Sequence, residues 1–352
     1  MNGNLETEEY AEGIYVGYRY FDSFGIEPLF SFGYGLSYTE FDIRLCGINA
    51  ASKGVTVTVE VENTGTTYSG KEVVQIYAVL PHGRLEKEHH RLVGYAKTNV
   101  LKPGEKQQVR ILIEGKALAS FFEEDHAWIV EAGNYELWIG NSSDNLKLEA
   151  LVKVNGDTVL EKTRKLETAA ELTGVLERSY IVNSEETQKK AGNHDIPSVQ
   201  FEDLCLTGVF GKTQKEKQEC CEKTLESLAD ELPVEEMIPL LCGNTGGISS
   251  NLGAAGIKVP GSAGETSEAL YEKYGVPVLI MADGPAGVRL QRSYEVDRKT
   301  DSVYGIGVLG SLENGFLITQ KPHENADMYY QYCTAFPVGT ALAQSWNQEL
   351  LR

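Results

Sequence analysis

The sequence predicts a mixed fold: an antiparallel β-sandwich, then a charged connector, then the beginning of a parallel α/β arrangement. Three observations carry this expectation. Between residues 41 and 141, short stretches such as VTVTVEVENTG alternate apolar and polar residues and stop at turn signals, the mark of strands with one buried face. From about Glu161 to Leu228 the alternation fades and charge rises. Further on, VPVLIM ends on Asp283, and TAFPVGTALAQSWNQELL reads as a short strand edge followed by a helix, the start of an α/β unit.

The elements follow in order. Residues 1–40 are dense in Tyr, Phe and Gly, and Ile14, Val16 and Tyr18 alternate as in a strand. After Phe21, Gly25, Pro28, Gly33 and Gly35 indicate an irregular packed linker whose aromatics need a partner surface. The segment reads as the tail of another domain. In 41–150, VTVTVEVENTG stops at Asn63-Thr64-Gly65, GKEVVQIYAVLP is the next strand, and Lys102-Pro103-Gly104-Glu105 splits two more. HAWIVEAGNYELWIGNSS adds a pair separated at Ala132-Gly133-Asn134. Val57, Val59, Val61, Val74, Ile76, Ile111, Tyr135 and Leu137 are expected in the core, with Trp128 and Trp138 in core or inter-domain packing. Residues 151–231 read as a charged, partly helical connector, and Asn155-Gly156 as a candidate hairpin turn. In 232–352, LPVEEMIPLLCG has a Pro near its start, acids in the first turn and Gly at the end, as an amphipathic helix does. Residues 290–330 read as a long looped insertion.

Composition narrows the function. The chain of 352 residues suggests two or three domains. Lys+Arg 32 against Asp+Glu 51 gives a net charge of −19, which repels phosphate backbones and argues against nucleic acid. No apolar run reaches the roughly 18 residues of a membrane span, and MNGNLETEEYAEG lacks the basic and apolar regions of a signal peptide. The six cysteines form no CxxC and are read as free thiols in a reducing, cytoplasmic setting. His82, His89 and His90 match no metal spacing and read as a solvated loop. The glycines of GNTGGISSNLGAAGIKVPGSAGET match no phosphate loop. No cofactor or metal is expected, and a homo-oligomer is compatible with the sequence.

The chemistry centres on VPVLIMADGPAGVRL, residues 276–290. A carboxylate at the C-terminal end of a buried parallel strand stands where such folds place functional groups. Asp283 could accept two sugar hydroxyls at once, since charge-assisted hydrogen bonds are the strong ones. Gly284 and Pro285 turn the chain, and Gly287 permits a close backbone approach. Arg289 either pairs with Asp283 or holds a second carboxylate. The plain alternative is an Asp-Gly-Pro turn with an ordinary surface pair.

These residues resemble glycoside hydrolase family 3, the β-glucosidase family. ADGPAGVR is similar to its DGPxGxR stretch at the first strand of a catalytic TIM-like barrel, and TAFPVGTALAQSWNQELL to its next block. VPGSAGET resembles a segment before the barrel, EGIYVGYRYFD and FSFGYGLSYTEF the end of the family's α/β-sandwich domain, and 41–141 its fibronectin type III-like domain. Sandwich tail first and barrel start last match the subgroup with reversed domain order, and imply an internal fragment. Residues 142–230 and 290–330 lie outside the resemblance.

The resemblance implies a retaining hydrolase of terminal non-reducing β-linked sugars, with β-glucosides as the expected substrates and two carboxyls about 5–5.5 Å apart. The family's nucleophile lies in a Ser-Asp-Trp-like motif. No such motif occurs here, and Ser143-Asp144 lacks the Trp. The family's Lys-His motif and acid/base domain are also not found. Only Asp283 and Arg289 are carried over, as substrate-binding residues, with Arg289 either touching substrate or supporting Asp283. The chain alone is therefore expected to be inactive. Two alternatives compete: a non-catalytic fibronectin-like carbohydrate- or protein-binding or spacer module, and an enzyme of another type pairing Asp283 with Glu265 or Asp297.

Overall fold

The structure is a computed structural model and describes residues 10–51, 54–164, 196–201, 232–242, 259–268, 270–301, 303–304 and 322–351. The chain divides into two compact units, Met1–Lys215 and Glu216–Arg352. Most of the expected connector, and the glycine-rich 243–258, lie outside the described residues. Among the described residues, no helix is long and apolar enough to cross a membrane.

The first unit contains the expected antiparallel β-sandwich, but its sheets also take in strands at Thr158–Lys162 and Ser198–Phe201, inside the stretch 151–231 read as a charged, partly helical connector. Strands β1 (Phe41–Ala51), β2 (Gly54–Asn63) and β5 (Lys106–Glu114) form one sheet in the order β1-β2-β5. The second sheet contains β3 (Val73–Val79), β4 (Arg91–Lys97), β8 (Gly133–Ser142), β9 (Asn145–Val154) and β11 (Ser198–Phe201), in the order β11-β9-β8-β3-β4. All these pairings are antiparallel except β11 on β9. After the single-turn helix α2 (Gly115–Leu118), a smaller sheet joins β6 (Ser120–Phe122), β7 (Ala127–Val130) and β10 (Thr158–Lys162).

Because side chains alternate along a strand, every second residue of β2 and β5 enters the core. Val55, Val57, Val59 and Val61 are fully buried, and Ile111 and Ile113 face them from β5. Val74, Ile76, Tyr135 and Leu137 come from the opposite sheet, also buried. Burying each such aliphatic side chain stabilises by about 1.5–3 kcal/mol relative to leaving it in water. All eight expected core residues sit here. Trp128 is half-buried against the core, and half-buried Trp138 donates its indole N–H to Glu136, 3.1 Å.

The turns carry the register. Glu105 N–H donates to Lys102 C=O at 2.9 Å while Gly104 has φ 75°, so Pro103-Gly104 forms a type II turn that requires glycine there. Asn63 is fully buried and works as a clip. Its Nδ2 donates to Leu101 O (2.9 Å) and Tyr68 O (3.0 Å), and its Oδ1 accepts from Gly65 N and Thr39 Oγ1. Asn63→Ala strands these buried partners and is expected to cost about 1–3 kcal/mol. The urea midpoint checks it; an unchanged midpoint contradicts the role of the clip.

Several expectations change. Residues 14–18 do not form a strand; the chain makes a turn and then helix α1 (Tyr18–Phe24). Tertiary packing overrides the local alternation. Tyr15 is buried with its hydroxyl on Glu86 (2.7 Å), and the Tyr18 hydroxyl accepts from Leu92 N (2.8 Å). Residues 25–40 are irregular, as expected, and leave Leu29, Phe30, Leu36 and Tyr38 exposed. The histidine loop is not wholly solvated. His90 is buried, lies 3.0 Å from an Asp22 carboxylate oxygen, stacks on Tyr18 and meets Tyr77 edge-on. Its neighbour Glu88 is buried too. Burial would raise the Glu88 pKa, but the forked Arg91 pair (2.7 and 2.8 Å) and the Arg19 charge outweigh it and hold the carboxyl below its ordinary value. After Asn155-Gly156 the chain crosses to the third sheet, where β10 pairs with β7, so this turn closes no hairpin with β9.

The second unit contains helix α3 (Val234–Cys242), the short pair β12 (Gly264–Glu265) and β13 (Ile280–Met281), the single-turn helix α4 (Tyr271–Tyr274), the sheet β15-β14-β16 (Val303–Tyr304, Ser293–Asp297, Ala326–Tyr330) and helix α5 (Gly339–Ala343). The amphipathic helix stands where expected, with Glu236 in an ion pair to Lys273. The apolar run 276–281 differs from expectation. Only Ile280 and Met281 are strand; they pair antiparallel with β12 and stay exposed with Leu279. Such a strand is buried only when parallel neighbours and helices cover both faces, and no described residue pairs with it in parallel. The expected loop 290–330 contains the three-stranded antiparallel sheet instead. Tyr and Val favour a half-buried pleated surface, as in SYEVD and ADMYY. After the short helix α5 come turns, with Trp346 at φ 52°.

Candidate functional site

Asp283 and Arg289 meet across a tight loop through their backbones. Arg289 N–H donates to Asp283 C=O at 2.7 Å, and the two residues form an antiparallel bridge. Inside it, Gly287 N–H reaches Gly284 C=O at 3.3 Å. Gly287 has φ 104°, and a Cβ there would lie 2.2 Å from Thr334 O and 3.0 Å from Ala335 Cα. The close approach expected of this glycine is therefore to residues 334–335, and Phe336 N–H seals it by donating to Ala286 O at 3.1 Å. Gln331 stitches the other side: its backbone N–H donates to Arg292 O, and its Nε2 to Pro260 O (3.1 Å) and Gln291 O (3.0 Å).

This stitching leaves an open groove of about 1010 Å³. Asp283, Arg289, Arg292, Tyr330, Gln331, Tyr332 and Thr334 are among the residues that line it. Asp283 and Arg289 both line this groove, yet both are exposed and their side chains are not paired. Among the described residues, the side chains of Asp283, Arg289 and Arg292 enter no ion pair. One carboxylate acceptor and two guanidinium forks therefore face solvent in the groove. Such a set recognises hydroxyls and acidic or polar oxygens by charge-assisted hydrogen bonds. Among the described residues, no group of His, Cys, Asp and Glu is arranged to hold a metal.

The proposed pairing of Asp283 with Asp297 or Glu265 finds no support in the geometry. Asp297 closes its own turn. Its carboxylate accepts from the Tyr304 hydroxyl (2.7 Å), from Lys299 N (2.8 Å) and from Thr300 N (2.9 Å), and these bonds hold it well below the ordinary carboxylate range. Glu265 is buried in β12, opposite Ile280. Five of these groove residues escaped sequence reasoning: Arg292, Tyr330, Gln331, Tyr332 and Thr334. The signal was the period of two in Tyr330 and Tyr332, at and just beyond the end of the segment 290–330 read as a loop.

A fibronectin type III-like domain matches residues 72–143. Over 90% of its length the chain is 30% identical to a β-glucosidase from Ruminococcus albus, and over 97% it is 29% identical to β-glucosidase A from Butyrivibrio fibrisolvens. A solved β-glucosidase from Paenibacillus barengoltzii resembles it with a TM-score of 0.55 and 29% identity over 82% of the chain. The chain spans 33%, 41% and 33% of these three proteins. By its fibronectin type III-like domain, and over most of its length, the chain is similar to β-glucosidases.

Proposed function

We propose that this chain supplies one wall of the sugar site of a retaining β-glycosidase acting on terminal non-reducing β-linked sugars, with β-glucosides the preferred class. The observation that carries the reading is Asp283, an exposed carboxylate beside Arg289 in a groove built by ADGPAGVR. Asp283 accepts hydrogen bonds from two neighbouring sugar hydroxyls, and Arg289 donates to a third oxygen or to a second carboxylate. Residues 232–352 belong to the catalytic barrel in this reading, and the sandwich of 41–150 is a supporting domain.

The 352 residues alone do not turn over substrate. Retaining hydrolysis needs a nucleophile and an acid/base about 5–5.5 Å apart, and the sequence has no Ser-Asp-Trp block to supply the first. The purified chain is expected to hydrolyse an aryl β-glucoside no faster than buffer. Turnover that disappears in Asp283→Ala would refute this. The binding-module alternative calls for a flat aromatic surface on the sandwich. The exposed pair Tyr38 and Tyr68 is tilted by 56°, which speaks against a stacking face there.

A further inference from the structure

We propose that Tyr330 and Tyr332 form an aromatic platform in the groove, on which the aglycone of a β-glycoside stacks while Asp283 holds its terminal sugar. The ligand class is a β-glycoside whose aglycone offers a flat, weakly polar face, either an aryl ring or a second pyranose. The inference rests on the reading of Asp283 as a sugar acceptor.

The geometry of β16 produces the platform. Successive side chains on an extended chain point to opposite faces, and residues two apart share one. Tyr330 ends β16 and Tyr332 follows by two. Their rings lie 6.3 Å apart with an interplanar angle of 11°, and both line the groove with Asp283 and Arg289. Tyr329, the residue before Tyr330, turns to the other face. There it stacks on its cross-strand partner Tyr294 at 5.8 Å and so binds β14 to β16. Tyr330 and Tyr332 instead remain 63% and 91% exposed. Two nearly parallel rings held open to water beside an unpaired carboxylate and two arginines make the arrangement that receives a polar ring with an apolar face. The hydroxyl edges go to the charges and the C–H face goes to the aromatics.

The test is NMR titration of the intact chain with methyl β-D-glucopyranoside, phenyl 1-thio-β-D-glucopyranoside and cellobiose. An aromatic contact of ordinary strength makes a ligand with a stacking aglycone roughly 2- to 10-fold tighter than the methyl glycoside. Tyr330→Ala/Tyr332→Ala is expected to remove that gain and leave methyl glucoside binding unchanged, while Tyr330→Phe/Tyr332→Phe keeps it. The exposure of both rings means that neither change disturbs the fold. A gain for the phenyl probe alone assigns the platform to aryl aglycones; a gain for cellobiose as well extends it to sugars. Equal affinity for all three probes, or a gain that survives the double alanine variant, overturns the platform and leaves Asp283 as sugar acceptor. Absence of saturable binding by any probe overturns both.

Discussion

Glu131→Leu is expected to destabilise the sandwich by about 3–5 kcal/mol, the cost of breaking a buried ion pair from one side. Glu131 is buried at the end of β7, and its carboxylate holds three things at once. It pairs with the buried Lys87 ammonium, accepts from Arg84 N at 2.9 Å, and lies 4.0 Å from the Arg84 guanidinium. Its backbone carbonyl also accepts from the Tyr135 hydroxyl at 2.8 Å. Removing the carboxylate leaves the Lys87 charge in a low-polarity site. Since domains are stable by only about 5–15 kcal/mol, much of the margin is lost. The free energy of global exchange at the β2 and β8 amides reads the effect. Adding Lys87→Met should restore most of it, because removing both partners is far cheaper than removing one. A single variant within about 0.5 kcal/mol of wild type would contradict the assignment.

Gly287→Ala is expected to take the groove apart while leaving the sandwich intact. A φ of 104° is strained for any residue with a Cβ, at about 1–3 kcal/mol. The overlap with Thr334 O at 2.2 Å comes on top. Backbone atoms cannot swing aside as a side-chain tip does, so residues 334–336 must move away and the Phe336–Ala286 hydrogen bond must break. Hydrogen exchange should speed up at 283–289 and 334–336, with β2 and β8 unchanged. Gly284→Ala is the matched control: its nearest neighbour would be 3.9 Å away, an ordinary contact. Equal exchange in the two variants would show that the close approach does not hold the groove.

The sandwich was legible because its information is local and periodic. Alternation in VTVTVEVEN marks both strand and inward face, and the Pro103-Gly104 and Asn63-Thr64-Gly65 signals mark where strands end. What failed was long-range. Residues 14–18 alternate like a strand but become a turn and helix because Tyr15 and Tyr18 are drawn to Glu86 and Leu92, far along the chain. His90 reads as polar loop, yet Asp22 on α1 meets it under cover of Tyr18 and Tyr77. At the site, the sequence singled out Asp283 and Arg289 as candidates and pointed to the tight approach at Gly287. It did not reveal that the approach is to Thr334, nor that Tyr330 and Tyr332 share the groove. Those facts depend on β14 and β16 pairing across a segment that no local signal joins.

The central claim is that Asp283 accepts sugar hydroxyls, and backbone chemical shifts during titration with methyl β-D-glucopyranoside test it most directly. The expected result is saturable shifts at 283–289 and around 331–334, abolished by Asp283→Asn, with the sandwich amides still. Shifts confined to residues 41–150, or shifts at the groove that persist in Asp283→Asn, would contradict it.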